Sequence, residues 1–182
     1  MKIETLDIEG AYKITPKKVT DMRGGFSRLY CSNIFLEHSL NTNWLQMNVS
    51  INNQKGIVRG LHYQNKPYQE IKLIRCVRGK VFDVIFDLRK NSRTFGKSTS
   101  LILNSKNLET VYVPQGCAHG FQTLTKYVEL HYLHSEVYKP EYEAGIYFGD
   151  PALEINWPLP ITSMSDRDKK HPLFSKNEHI KL

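Results

Sequence analysis

The amino-acid sequence predicts an all-β protein, built as a β-sandwich or β-barrel with a few short helices. Short segments rich in β-branched and aromatic residues recur along the chain, and Gly, Pro, Asn or Ser separates them. Helical periodicity is confined to two short stretches. A chain of 182 residues is long enough to bury a core without disulfides or metals. We therefore expect one domain over residues 1–174, followed by a loose polar tail at 175–182.

The predicted strands follow one another at close spacing. Apolar patterns predict them at 11–19, 45–52, 56–63, 72–77, 80–88, 98–103, 109–113, 119–124, 127–134 and 144–148. Segments 72–77 and 80–88 flank Arg78-Gly79, which predicts a hairpin with a tight turn. Period-two alternation in the second segment predicts a core face made of Phe82, Val84, Phe86 and Leu88. Asp83 and Asp87 fall on the opposite face.

Two segments are predicted to be helical. Residues 32–40 form the first, with Ser32 as its N-cap. Residues 165–170 form the second, a short turn in which Ser165 and Asp168 have the spacing of a capping box.

Charge and cysteine content narrow the classes of partner. Lys plus Arg number 25 against 18 Asp plus Glu, a net charge of +7 that favours nucleic acid, a membrane surface or a phosphorylated small molecule. The basic residues are scattered and no stretch approaches the ~18 apolar residues that span a bilayer, so we expect no nucleic-acid or membrane partner. The first ten residues lack the apolar run of a secretory signal. Cys31, Cys76 and Cys117, without a CxxC pair, predict reduced thiols in a cytoplasmic protein.

The first motif whose residues could act in catalysis or binding is RGLHYQ, at 59–64. Strict alternation places Gly60 and His62 on one face of a strand and Arg59 on the other. Arg59 and His62 therefore reach one site only if Gly60 distorts the strand. The alternative is a strand histidine with an ordinary structural role.

The second motif is VPQGCAHGF, at 113–121. Its Pro-x-Gly-x-x-His spacing delivers His119 onto a strand, as it does for a metal ligand in cupin barrels. Here Gly60 stands where such a site would have another histidine, and His62 with His119 is a poor ligand set without a third donor. We expect no metal.

Two further residues each have a structural and a functional interpretation. Side chains alternate along the strand at 128–134, so Tyr132 shares the inward face with Val128 and Leu130. Tyr132 is then either a core aromatic residue or a proton donor. Asp168 is either part of the helix cap or the carboxylate that orients His62 and raises its basicity.

A larger set of segments occurs together between about Tyr12 and Phe174. They are DMRGGF (21–26), Gln46 and Asn48 in LQMNVS, RGLHYQ, KLIRCVRGKVFDV (72–84), DLRKNSRTFG (87–96), VPQGCAHGF, the tyrosine of ELHYLH, INWP (155–158) and MSDRD (164–168). In this order the chain resembles the dTDP-4-dehydrorhamnose 3,5-epimerase family. The resemblance implies a cupin-type jelly-roll barrel that is cofactor-free, metal-free and homodimeric. It also implies a nucleotide diphosphate sugar of the 4-keto-6-deoxy class as substrate, as used to make deoxysugar units of a surface polysaccharide.

The resemblance also implies roles for particular residues. His62 aligns with the general base, Asp168 with its dyad partner, Lys72 with a lysine near the keto oxygen and Tyr132 with the proton donor on the opposite face. Substrate-contacting positions correspond to Arg23, Phe26, Gln46, Asn48, Arg59, His119 and Tyr138.

One position departs from the family pattern. Arg28 stands at a substrate-contacting position where the family has a glutamate, which leaves CDP, GDP and UDP sugars open beside dTDP. Inversion at C3 alone, C5 alone or both is also open. Two other classes are a metal-dependent cupin oxygenase using His62 and His119, and a sugar-nucleotide binding module without turnover.

Overall fold

The computed structural model describes residues 1–174, and most of its strands form two facing antiparallel sheets. The strands are β1 (Lys2–Thr5), β2 (Tyr12–Thr15), β3 (Lys18–Asp21), β4 (Gly24–Ser27), β5 (Gln46–Asn52), β6 (Val58–Gln64), β7 (Lys72–Arg78), β8 (Lys80–Asp87), β9 (Ser98–Asn104), β10 (Thr110–Val113), β11 (Cys117–Thr123), β12 (Val128–His134) and β13 (Glu143–Gly145). The helical segments are α1 (Ser32–Glu37), α2 (Asp166–Lys169) and the 3-10 turns Pro140–Tyr142 and Pro151–Leu153. The predicted all-β class is confirmed.

The larger sheet has the order β1-β2-β10-β7-β12-β5, and the smaller has the order β13-β6-β11-β8-β9. The main core lies between them, because Ile74 and Leu130 of the larger sheet pack in one cluster with Ile85 and Phe121 of the smaller. A second core covers the other face of the smaller sheet. There Phe86 and its neighbours pack against the C-terminal segment that contains Ile146 and Leu153.

Strand β8 is therefore buried on both faces. The predicted core face of Phe82, Val84, Phe86 and Leu88 is confirmed, since it contributes to the second core. The face of Asp83 and Asp87 is buried as well, and both aspartates are fully buried. Strands enclosed on both sides carry near-continuous apolar runs, and buried charges within them need a specific partner.

The predicted hairpin at 72–88 is wrong. Strand β7 pairs with β10 and β12, whereas β8 pairs with β11 and β9, so the two consecutive strands belong to different sheets. The chain crosses between the sheets at Gly79, which has φ +78°. A Cβ atom there would lie 2.6 Å from Oγ1 of Thr125. The glycine marks a sheet corner, which has the same local signature as a hairpin turn.

Smaller differences occur near the N-terminus. The strand predicted at 11–19 is two strands, β2 and β3, because Pro16 interrupts the ladder between them. Strands β1 and β4 were not predicted. Helix α1 has Cys31 rather than Ser32 at its N-cap position, with no side-chain cap.

Strands β3 and β4 form a hairpin that pairs with neither main sheet. Its residues are almost entirely exposed, among them Met22 and Phe26. No helix in the described part of the chain is long and apolar enough to cross a membrane. The tail predicted at 175–182 lies outside the described residues.

Candidate active site

A pocket of about 280 Å³ opens between the two sheets at one end of the barrel. Strands β5, β7 and β12 line it from the larger sheet, and β6 and β11 line it from the smaller. The predicted site residues that line it are Gln46, Asn48, Arg59, His62, Lys72, His119, Tyr132 and Tyr138. Residues distant in the sequence thus meet in one cavity.

His62 and Asp168 form a hydrogen-bonded pair at the wall of this pocket. Nε2 of His62 lies 2.8 Å from Oδ1 of Asp168, while Oδ2 accepts from the backbone N–H of Gly60 at 3.2 Å. Burial alone would raise the pKa of Asp168, but the hydrogen bonds from His62 and Gly60 lower it to about 2. An ionised carboxylate only accepts, so Nε2 carries the ring proton and the lone pair of neutral His62 lies on Nδ1.

The two interpretations of Asp168 are compatible. The Oγ atom of Ser165 accepts from the backbone N–H of Asp168 at 3.0 Å, which caps α2 as predicted. The carboxylate binds His62 and the backbone N–H of Gly60, and the Ser165 side chain also helps to lower its pKa. Ser165 thus fixes the backbone of Asp168, while the Asp168 side chain orients His62.

A β-bulge brings Arg59 and His62 to the same side of β6. His62 pairs with His119 of β11, and Arg59 pairs with Phe121, so β6 contains one more residue than β11 over this interval. The extra residue reverses the alternation of side chains. Gly60 in the bulge has φ +112°, and a Cβ atom there would lie 2.6 Å from Cα of Gly120. The distortion at Gly60 that a shared site for Arg59 and His62 requires is present.

Lys72 reaches the pocket from β7 and is held by a buried carboxylate. Its Nζ atom donates to the backbone oxygen of His62 at 3.1 Å and forms an ion pair with Oε1 of Glu70 at 3.1 Å. Oε2 of Glu70 lies 2.9 Å from Nδ1 of His134. Burial alone would raise the pKa of Glu70, but the positive Lys72 and the bond with His134 lower it to about 2. Glu70 therefore stays ionised and fixes the ammonium group.

Tyr132 lies on the opposite wall from β6, beside a second histidine–carboxylate pair. Nε2 of His119 is 2.8 Å from Oδ2 of Asp83, and its ring meets that of Tyr132 edge-on with centroids 6.2 Å apart. Burial, and then the negative charge of Asp83, raise the pKa of Tyr132 far above its usual range. The phenol stays protonated at neutral pH and is a potential proton donor.

Polar side chains form the rim of the pocket. Oε1 of Gln46 accepts from the backbone N–H of Tyr138 at 3.0 Å, and its Nε2 donates to Oδ1 of Asn48 at 3.2 Å. The Tyr138 hydroxyl donates to Oε2 of Glu143 at 2.7 Å, and Arg167 forms an ion pair with the same carboxylate. The rim is thus cross-linked by hydrogen bonds around an open centre.

Besides Asp168, which reaches the pocket only through His62, three predicted site residues do not line it within one chain. Arg23, Phe26 and Arg28 lie in or beside the exposed β3–β4 hairpin, and none of them lines the cavity. Arg23 is bound to Asp21 of the same hairpin at 2.6 Å. Within one chain the hairpin thus stands apart from the cavity.

Sequence reasoning also missed several residues of the site. The carboxylates Glu70, Asp83 and Glu143, together with His134 and Arg167, were not predicted. Glu70 had a usable signal, since it precedes Lys72 by two and period-two spacing puts both on one side of an extended segment. Asp83 had another, as a charge within an otherwise apolar strand.

The fold and the site define the class of protein. It is a jelly-roll barrel of the cupin type whose pocket is lined by a histidine paired with a buried aspartate, a buried lysine and a tyrosine, groups suited to acid–base chemistry. The chain belongs to the dTDP-4-dehydrorhamnose 3,5-epimerase family, whose model matches residues 5–176.

Individual relatives agree with this assignment. The dTDP-4-dehydrorhamnose 3,5-epimerase of Methanothermobacter thermautotrophicus is 39% identical over 173 residues, which cover 93% of this chain and 92% of that protein. A crystal structure of the enzyme of the same name from Elizabethkingia anophelis superposes with a TM-score of 0.93 at 36% identity, covering 96% of this chain and 97% of the other. A 3'-monoepimerase from Streptomyces bikiniensis in complex with dTDP-quinovose has a TM-score of 0.89 at 33% identity, covering 96% and 89%.

Proposed function

We propose that this protein is a cofactor-independent isomerase that inverts C3, C5 or both in a nucleotide-activated 4-keto-6-deoxy sugar. The observation that carries the proposal is the presence in one pocket of Lys72, Tyr132 and a His62 that is hydrogen-bonded to the buried Asp168. Binding alone does not require a base oriented by a buried carboxylate.

The chemistry begins at a carbon next to the ketone. Nδ1 of His62 removes the proton, the C–H electron pair moves into the carbon framework, and negative charge develops on the keto oxygen. A neutral imidazole is a suitable base near pH 7, and general base catalysis contributes about 10²- to 10⁴-fold in rate. Lys72 supplies a fixed positive charge, and one preorganised contact of this kind is worth about 3 kcal/mol.

Inversion requires that the new proton arrive from the other face of the sugar. Tyr132 belongs to the larger sheet and His62 to the smaller, so a sugar ring between the sheets would have one group on each side. The Tyr132 phenol gives its proton to carbon as the enolate collapses back to the ketone. His62 and Tyr132 then return to their starting states by proton exchange with solvent.

The nucleotide diphosphate is assigned to the rim. Arg59 donates through Nε to Oδ1 of Asn52 at 2.7 Å, which fixes a guanidinium group beside His62. Guanidinium groups bind phosphate oxygens in a bidentate manner, and the net charge of +7 favours an anionic ligand. The solved relative with bound dTDP-quinovose supports dTDP as the carrier. Arg28 keeps CDP, GDP and UDP as alternatives to be tested.

We further propose that the enzyme works as a homodimer whose second copy completes the site. Phe26 of the free hairpin is 72% exposed, and the outward side chains Met47, Val49 and Ile51 of edge strand β5 are also exposed. A second copy would cover these apolar surfaces and the open edge. In this arrangement the hairpin of one copy brings Arg23, Phe26 and Arg28 to the pocket of the other.

The proposed location is the cytoplasm, supported by three free cysteines.

Mixed dimers test this arrangement. Chains carrying His62→Ala and chains carrying Arg23→Ala are each expected to be nearly inactive alone. Mixed dimers regain one intact site, because the His62→Ala chain lends its hairpin to the other chain, and roughly a quarter of wild-type activity returns in a statistical mixture. Absence of any recovery, with dimers verified by light scattering, would contradict an exchanged hairpin.

Hydrogen exchange with solvent tests the reaction itself. The protein is incubated in D₂O with dTDP-, CDP-, GDP- and UDP-4-keto-6-deoxyglucose, and deuterium at C3 and C5 is read by mass spectrometry and NMR. We expect incorporation with one nucleotide strongly preferred, and none with His62→Ala. Lack of incorporation into every one of these sugars would refute the proposal.

A further inference from the structure

A second histidine lies beside the His62–Asp168 pair. Nε2 of His171 is 3.7 Å from Oδ1 of Asp168, the same oxygen that Nε2 of His62 approaches at 2.8 Å. The two imidazole rings meet edge-on, with centroids 5.5 Å apart. Donor atoms of all three side chains lie within 4.8 Å of one another. The proposed reaction uses His62 and Asp168 but gives no role to His171.

The Nε2 atom of His171 is buried and has no hydrogen-bond partner among the described residues. Its side chain is only 12% exposed. A buried polar atom without a partner is rare in native proteins and calls for an explanation. The fold also reserves space for this ring, because a Cβ atom at Gly145 would collide with it.

We infer that His62, Asp168 and His171 form a binding site for a divalent transition-metal ion, with Zn²⁺ as the best match. Two imidazole nitrogens and one carboxylate oxygen are a common Zn²⁺ ligand set, with an open fourth position for water. Bond lengths near 2.0–2.1 Å place neighbouring tetrahedral donors roughly 3.3 Å apart. The separations of the two imidazole nitrogens from the carboxylate oxygen, 2.8 and 3.7 Å, bracket that value, and all three donor atoms lie within 4.8 Å of one another.

The carboxylate of this cluster is held in place by a neighbouring backbone group. The backbone N–H of Gly60 donates to the second carboxylate oxygen and orients it, as outer partners of metal ligands commonly do.

A metal ion at this site would prevent His62 from acting as the base. In the metal-free pair, Nε2 of His62 carries the proton and Nδ1 holds the free lone pair. A metal bonded to Nε2 displaces that proton, so a neutral ring must carry its remaining proton on Nδ1. The atom assigned to proton abstraction then has no lone pair to offer. The site is therefore inhibitory, and this consequence rests on the proposed function while metal binding itself does not.

Calorimetric titration of chelator-treated, metal-free protein with ZnCl₂ tests binding directly. We expect one ion per chain in the wild type. Loss of an outer partner of a ligand already weakens metal affinity about 10- to 100-fold, so His171→Ala should weaken it at least that much. His38→Ala, which removes an exposed histidine elsewhere, should bind like the wild type. His171→Gln serves as a second variant should the alanine variant fold poorly.

Two further measurements separate this inference from the proposed function. X-ray absorption at the zinc edge should show two imidazole nitrogens and a carboxylate oxygen whether or not a substrate is turned over. In the exchange assay, Zn²⁺ should inhibit the wild type reversibly, whereas each His171 variant, compared with its own metal-free rate, should resist. Equal Zn²⁺ affinity of wild type and both His171 variants, or a coordination shell without imidazole, would overturn the site.

Discussion

The Nζ atom of Lys72 lies 3.1 Å from Oε1 of Glu70, and both side chains are more than nine-tenths buried. Breaking a buried ion pair by removing one charge costs about 3–5 kcal/mol, because the other charge is left unpaired. We expect Glu70→Gln to lower the free energy of unfolding by about that amount and to reduce activity, since Lys72 loses its anchor. Urea denaturation and the exchange assay measure the two effects.

A surface pair provides the control for this substitution. Glu4 binds Lys2 at 2.8 Å, with the lysine side chain 72% exposed. Glu4 also lies 3.4 Å from Lys13, but solvent screens exposed pairs, so Glu4→Gln should leave the free energy of unfolding nearly unchanged. Equal effects of the two substitutions would mean that the buried pair is not important for stability.

The same carboxylate predicts how stability depends on pH. The pKa of Glu70 is lowered from 4.5 to about 2 in the folded protein. Its stabilising contribution, about 3 kcal/mol, is therefore fully present above pH 4.5 and is lost as pH falls toward 2. The difference in unfolding free energy between wild type and Glu70→Gln should shrink over this interval. A difference that stays constant from pH 6 to pH 3 would contradict the lowered pKa.

Removing the base should separate chemistry from binding. His62→Ala is expected to slow deuterium exchange at least about 100-fold, because no other neutral imidazole is assigned to the reacting carbon. Affinity for the nucleotide sugar, measured by calorimetry, should change only a few fold, since the diphosphate is assigned to the rim. His38→Ala should exchange at the wild-type rate.

Removing the proton donor should affect the second half of the reaction most. In Tyr132→Phe, His62 still abstracts the proton but can only return one to the same face. Deuterium should therefore enter with retained configuration, while formation of the inverted product falls about 100-fold. NMR coupling constants distinguish the two outcomes. Equal loss of exchange and inversion would remove the role given to Tyr132.

The bulge in β6 should tolerate no side chain at Gly60. A Cβ atom there would lie 2.6 Å from Cα of Gly120, and φ is +112°. Gly24 has φ +129° with no neighbour within 4 Å, so Gly24→Ala carries only the backbone penalty of about 1–3 kcal/mol. Gly60→Ala should destabilise the protein more and also reduce activity. Similar unfolding free energies for the two variants would rule out close backbone packing as the reason for Gly60.

The sequence predicted most strands and the residues of the dyad, because alternation and local motifs are short-range signals. It could not show which strands pair. A glycine at position 79 is equally compatible with a hairpin and with a corner between sheets, and only contacts between distant segments, such as β7 with β12, decide between them.

The site was predictable where a residue belonged to a motif. Glu70 and His134 were missed because their importance depends on a contact across 64 residues of chain. The hairpin residues Arg23, Phe26 and Arg28 were predicted from resemblance alone, and a single chain leaves them away from the cavity. Local sequence carries no information on contacts between separate copies of a chain.

The extra residue in β6 lets one strand supply both Arg59 and His62 to the cavity. Because Arg59 and His62 lie on either side of it, any one-residue deletion in this interval would rotate one of them out of the cavity and into apolar packing. Burying that side chain among apolar neighbours without a partner would also destabilise the fold. Insertions and deletions here should therefore damage both turnover and folding, and directed evolution of this scaffold should keep the length of the strand fixed.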